Sequence, residues 1–242
     1  EEVISQNLKT TRDKGFLLVE LGYNHQLQSQ DSIARSYYDQ VIEGVAQGTM
    51  NPYRAARTLQ QHSLLEEAVR TYEVGMESNP NANFNIQLAK LYGELDEVQK
   101  MFDAYLDLIN RSGKYVQVAQ RNFSIYINDD PLNDANIIFR KTLLKRLQSE
   151  QNVLYNDLLS WLFIQQKQYN KAFAQEKAIY RRTDGRYEGL ENLADIAIEE
   201  GELEDAREIL LFLKENIANE DVKLEAEQKL IKIDIASAST AA

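Results

Sequence analysis

The chain has 242 residues, of which 43% are hydrophobic, a formal net charge of −11 and no cysteine. The missing thiols exclude a disulfide framework, thiolate zinc sites and cysteine nucleophiles, and the acidic balance argues against nucleic-acid binding through phosphate neutralisation, which needs a basic face. Three prolines and ten glycines interrupt a composition rich in Leu, Ala, Glu, Gln and Lys, so the chain is expected to be almost wholly helical. No apolar run approaches the ~18 residues that span a bilayer, so a soluble chain without membrane insertion is expected.

In chain order, residues 1–14 read as a polar N-terminal extension that is helical or frayed. With Glu1 in place of Met, a processed or trimmed chain is expected, compatible with a bacterial periplasmic or a cytoplasmic protein. A first helical pair (15–48) carries Leu18, Leu21, Gly22 and His25, then Ala34, Tyr38 and Val41. The second (49–80) opens at Asn51-Pro52, an N-cap followed by proline where its missing N–H costs nothing. Ala55, Ala56 and Leu59 there face Ala68, Tyr72 and Gly75, and Pro80 closes the unit. The third (81–112) runs from Phe84, Leu88 and Leu91 through a Gly93 turn to Val98, Phe102 and Tyr105, with Gly113 as its cap.

In the fourth (113–150), Asp130 is read as N-cap and Pro131 as the first helical position, with Ala135, Ile138, Phe139 and Leu143 forming the stripe. The fifth (151–186) starts near Asn152 and packs Leu158, Leu159, Leu162 and Phe163 towards Ala172, Phe173 and Ile179. The sixth (187–218) is the most regular. Leu190, Leu193, Ala194 and Ala197 recur at i, i+3, i+4 and i+7, Gly201 breaks the helix, and Ala206, Leu210 and Leu213 follow. Residues 219–236 read as a capping helix or the first half of a seventh pair, and 237–242 as a disordered tail.

Taking Ala34, Ala68, Val98, Ala135, Ala172 and Ala206 as markers of each second helix gives spacings of 34, 30, 37, 37 and 34 residues. With Leu21-Gly22 and the segment QKQYNKAFAQEKAIY around Tyr169, this pattern resembles the tetratricopeptide repeat. The resemblance implies an all-α, right-handed superhelical α-solenoid of about six helix-turn-helix pairs plus a capping helix. It implies a non-enzymatic scaffold that binds a protein or peptide in a groove lined by the first helices. Carried over position by position, the groove takes Tyr23 from the first pair and Tyr53, Arg54, Arg57 and Gln61 from the second. Asn83, Gln87 and Lys90 follow from the third, Asp157 and Trp161 from the fifth, and Glu191, Asn192 and Asp195 from the sixth. Aromatic residues and Arg dominate binding hot spots, although Arg54 and Arg57 could equally pair with carboxylates and Trp161 could pack between helices. Val19 and Tyr23 stand where family members that grip a chaperone's terminal carboxylate carry Lys and Asn, so that sub-function is not expected.

Chemistry is sparse. His25 and His62 share no helix face, and the run Asn128, Asp129, Asp130, Asn133, Asp134 lacks the glycine and terminal Glu of a calcium loop. No phosphate-binding glycine loop or G-x-S-x-G is present, so no cofactor or metal is expected. Residues 185–242 hold 15 acidic and 6 basic residues, −9 of the net −11, which favours basic partners at the C-terminal end. The alternative reading is an assembly module that self-associates or forms part of a longer polypeptide, with an all-helical enzyme a distant third.

Overall fold

The computed structural model describes Ile4, Asn7, Leu8, 11–150 and 152–240, the last five residues by their backbone alone. Half of the expected N-terminal extension therefore lies outside the described residues. From Gly15 onward the chain forms α1 (Gly15–Leu27), α2 (Asp31–Ala46), α3 (Pro52–Gln61), α4 (Leu65–Ser78), α5 (Asn85–Glu94) and α6 (Val98–Arg111). A 3-10 turn (Gly113–Tyr115) precedes α7 (Val116–Phe123), α8 (Asp134–Glu150), α9 (Val153–Gln165), α10 (Tyr169–Arg182), α11 (Glu188–Glu199), α12 (Leu203–Asn216) and α13 (Glu220–Thr240). No strand occurs among the described residues. The helices fall into two compact units, Glu1–Ser112 and Gly113–Ala242.

The first unit holds three antiparallel hairpins, α1/α2, α3/α4 and α5/α6, with α1 beside α3 and α2 beside α4. Small residues set the spacing: Ala34, Ala55, Ala56, Ala68 and Ala89 are buried almost completely, with Leu59, Leu91 and Phe102 filling the space between them. Asn51 caps α3 as expected, its side chain accepting the Arg54 N–H at 3.0 Å with Pro52 at the first position.

The repeat is written most clearly in the turns. Ser29, Ser63, Asp96, Lys167 and Gly201 all adopt left-handed backbone conformation, with φ of 60, 58, 59, 53 and 81°. Successive members lie 34, 33, 71 and 34 residues apart. At each, the next residue's N–H reaches the carbonyl five positions back: Gln30 to His25, Leu64 to Leu59, Glu97 to Tyr92, Gln168 to Phe163 and Glu202 to Ala197. This is the Schellman arrangement, which satisfies the last carbonyls of one helix and aims the chain into the next. Four of the five positions are not glycine and hold a conformation that costs an L-residue about 1 kcal/mol. Ser63→Gly should therefore raise unfolding free energy by about 0.5–1 kcal/mol, and Gly201→Ala lower it by about 1 kcal/mol, in urea titrations.

The helix boundaries and burial correct the register of two markers. Ala34, Ala68, Ala172 and Ala206 are each the fourth residue of their helix, donating to the N-cap carbonyl. In α6 that position belongs to Met101, 2% exposed, and not to Val98, the partly exposed first residue. The break falls at Asp96, with Gly93 still helical. In α8 the buried residue is Asn136 and Ala135 is partly exposed.

In the second unit, α9/α10 and α11/α12 repeat the regular hairpin and α13 packs along α12. The fourth interval differs, because residues 124–133 join α7 to α8 without a left-handed turn. Asn133, not Asp130, caps α8 by accepting the Asn136 N–H at 3.2 Å, while Asp130 accepts the Leu132 N–H at 2.9 Å in a local Asx turn. The buried Asn136 amide donates to the carbonyls of Asn128 at 2.9 Å and Asp130 at 2.6 Å, so a side-chain amide organises the acidic loop. Gly113 is not a left-handed cap; it lies against Leu154, whose Cδ1 would be 3.1 Å from a Cβ placed there. The backbone of α13 continues to Thr240, where a disordered tail was expected from 237: Ala is the best helix former and no Gly or Pro interrupts the run.

Candidate partner-binding faces

In the first unit the first helices of the hairpins are α1, α3 and α5; α1 packs beside α3, while α5 packs against α4. Tyr23 on α1 stacks on His62 at the end of α3, ring centroids 3.8 Å apart and 20° from parallel, and His62 Nε2 lies 3.1 Å from Glu20 Oε1. Tyr53 stands at the start of α3, 41% exposed, its ring tilted against the buried Tyr72. One turn on, Arg57 is exposed and pairs with no carboxylate among the described residues. Burial pushes the Tyr72 phenol up to about 12, the Tyr53 hydroxyl adds to the rise and the Arg57 guanidinium opposes it. Gln61 and Lys90 are exposed, and Gln87 is half-buried with its Oε1 enclosed and lacking a hydrogen-bond donor among the described residues. Asn83 is exposed and its Oδ1 accepts the Asn85 N–H at 3.1 Å.

Arg54 is held differently. Its Nη1 lies 3.2 Å from Asp13 Oδ2 and its guanidinium sits 4.4 Å above the Phe16 ring. Asp13 Oδ1 also accepts the N–H groups of Gly15 at 3.3 Å and Asn51 at 3.4 Å. Asp13, which sequence reasoning passed over, thus ties the start of α1 to the start of α3 at the edge of a cleft of about 760 Å³ that Tyr53, Arg54 and Phe84 also line. Val19 is fully buried, so it offers nothing to a carboxylate clamp.

In the second unit the expected residues are mostly engaged. Trp161 is half-buried, edge-on to Phe139 with centroids 6.4 Å apart and 6.5 Å from Phe123. Asp195 takes Lys229 of α13 at 2.5 Å, so part of the α11 face is covered by the last helix. Asn192 is exposed and Glu191 is half-buried. Asp157 pairs with Arg186, while Arg182 donates to Asn156 Oδ1 at 3.0 Å.

Beside that pair lies Glu176, 8% exposed, with its carboxylate against Gly189 in the first turn of α11. A Cβ on Gly189 would fall 2.0 Å from Glu176 Oε2, so any larger residue there would displace this carboxylate. Burial raises the Glu176 pKa above its ordinary 4.5; the Ser160 hydroxyl opposes this, Asp157 reinforces it and Arg186 opposes it. A carboxyl raised on folding favours the native state below its ordinary range and loses that contribution as pH rises through the raised value. Glu176→Gln should therefore raise the urea midpoint at pH 7, and this gain should shrink as the pH is lowered towards 4.5.

Among the described residues, no three His, Cys, Asp or Glu side chains converge as a metal site, and no helix is long and apolar enough to cross a membrane. In α7, Phe123 is fully buried and Asn122 Nδ2 donates to the Val118 carbonyl at 2.8 Å.

The stacked hairpins and their recurrent turns define an all-α helical-repeat protein. No family model matches the chain, and none of the curated proteins matches it. Among solved structures, it is similar to the crystal structure of a tetratricopeptide repeat protein from Parabacteroides merdae. The two share 15% identity over 91% of this chain and 89% of that one, with a TM-score of 0.33.

Proposed function

We propose that this chain is a tetratricopeptide-like scaffold that binds a peptide or protein partner on the first-helix face of its N-terminal unit. The observation that carries the reading is the pairing on α3 of an exposed Tyr53 with an exposed Arg57 that has no carboxylate partner among the described residues. Both residue types supply large contact area with a polar handle, the combination that dominates hot spots. Tyr23 and Lys90 extend the face along α1 and α5. The framework is already ordered by its buried hairpins, so most of the entropy lost on binding falls on a flexible partner. Arg54, committed to Asp13 and Phe16, belongs to that framework.

The test is a pull-down from the native source with the original chain and a Tyr53→Ala/Arg57→Ala variant of matched thermal stability. A partner held by the original and lost by the variant is the expected result. Equal retention by both would remove the assignment of this face. Including Arg54→Ala alone separates framework from contact: it should lower the melting temperature while retaining the partner.

A further inference from the structure

Two helices of the second unit carry opposite, unpaired charge on their outer faces. Between 135 and 149, α8 holds four cations and no acid. Lys141, Leu144, Lys145 and Gln148 recur there at i, i+3, i+4 and i+7, so they form one stripe, and all are exposed, Leu144 by 46%. Arg140 borders the stripe, half-buried. Arg146 of the same helix meets Glu150, but Arg140, Lys141 and Lys145 pair with no carboxylate among the described residues.

The counterpart is α12. Glu204, Glu208, Leu211 and Glu215 recur at i, i+4, i+7 and i+11, all exposed, Leu211 by 41%. The helix's own cations are committed to α13, Arg207 to Asp234 and Lys214 to Glu227. Glu204, Glu208 and Glu215 pair with no cation among the described residues. Burial raises the pKa of the neighbouring Asp205, and Glu202 and Glu208 reinforce the rise, as expected where acids gather without a counter-charge. Within the chain α8 packs on α9, and α12 on α11 and α13, and both stripes are left to solvent.

Each stripe sets one exposed leucine among like charges, and the two stripes differ in sign. Such faces attract one another and suppress pairing of like with like. An anionic lipid or nucleic-acid surface would match α8 alone and be opposed by the acids of residues 185–242. We infer that α8 of one copy docks on α12 of a second copy, with Lys141 and Lys145 facing Glu208 and Glu215 around Leu144 and Leu211. The contact joins two different surfaces, so it is heterologous and leaves one α8 and one α12 free for further copies. It uses neither Tyr53 nor Arg57.

The test is sedimentation velocity over about 5–200 μM protein in about 0.05 and 0.5 M salt. The weight-average mass should rise with concentration at low salt and return to that of a single chain at high salt. Lys141→Glu/Lys145→Glu and Glu208→Lys/Glu215→Lys should each weaken association at least about tenfold. Their combination in one chain restores the net charge and the opposed stripes, so it should recover association. All four side chains are exposed, so the variants should keep their helical circular dichroism and melting temperature. The Tyr53→Ala/Arg57→Ala variant should self-associate unchanged, which separates failure here from failure of the other face. A single-chain mass at every concentration in low salt would overturn the proposal, as would association that survives either reversal or that the combined variant does not recover. A protein that stays single but binds a labelled Glu-rich helical peptide through Lys141 and Lys145 would overturn it in favour of an acidic partner protein.

Discussion

Phe139→Ala should lower unfolding free energy by about 3–5 kcal/mol, the range expected when a fully enclosed aromatic ring is truncated. Phe139 is 0% exposed, 4.7 Å from the Phe123 ring and edge-on to Trp161. These three rings pack together across the fourth interval, where no left-handed turn ties α7 to α8. Truncation leaves a cavity that neighbouring aromatic planes cannot collapse to fill, and it removes the edge-to-face contact as well. Trp161 is the only tryptophan in the chain and supplies the readout. Its emission should shift to the red in the folded variant, and the urea transition followed at that wavelength should move to lower concentration. An unfolding free energy within about 0.5 kcal/mol of the original would show that the cluster contributes only ordinary surface packing.

Gly22→Val should cost about 2–3 kcal/mol, at the upper end of the overpacking range. A Cβ at Gly22 would stand 2.5 Å from Tyr38 Cε1 and 3.1 Å from the Ala34 carbonyl oxygen. Neither can give way cheaply: the Tyr38 ring is 5% exposed with its hydroxyl on Gln26 at 2.8 Å, and the carbonyl is backbone. Helix propensity works in the opposite direction, since valine is a better helix former than glycine by a few tenths of a kcal/mol. The steric clash outweighs that gain several-fold. Gly48→Ala is the informative control, because nothing lies within 4 Å of its Cβ position and only the positive φ opposes the change. That variant should lose about 1 kcal/mol. A Gly22→Val stability equal to the original would show that α1 and α2 separate without penalty.

The Leu21-Gly22 pair was legible because the signature residue and its physical purpose coincide: only a hydrogen at that position lets Tyr38 cross α1. Asn51-Pro52 and Asn152 were legible for a similar reason, since their capping chemistry is local. The turn register was not, because the left-handed positions at Ser29, Ser63, Asp96 and Lys167 are filled by Ser, Asp and Lys and not by the glycine that marks such a cap. Val98 lies three residues before Met101, almost one helical turn, so apolar periodicity alone accepts either as the marker. Asn136 escaped notice as a core residue because its burial is offset by hydrogen bonds to a loop, which an apolar pattern does not contain. On the candidate face, residue type indicated Tyr53 and Arg57, but the role of Arg54 depended on Asp13, 41 positions away in the chain. Distant pairs of this kind, Asp195 with Lys229 among them, follow from the stacking of hairpins and not from any local spacing.

The recurrent turns also make the first unit a set of interchangeable cassettes. Ser29 and Ser63 occupy the same place in the same hydrogen-bonded corner, so excising the 34 residues from Gln30 through Ser63 would join Ser29 to Leu64 with the incoming N–H still aimed at the carbonyl of His25. A cut of 30 or 37 residues would deliver a different helical phase to that corner and turn the buried stripe away from its neighbour. Growth or shortening of such a chain therefore proceeds in whole steps, with the corner, more than any side chain in the core, acting as the joint at which one length is exchanged for another.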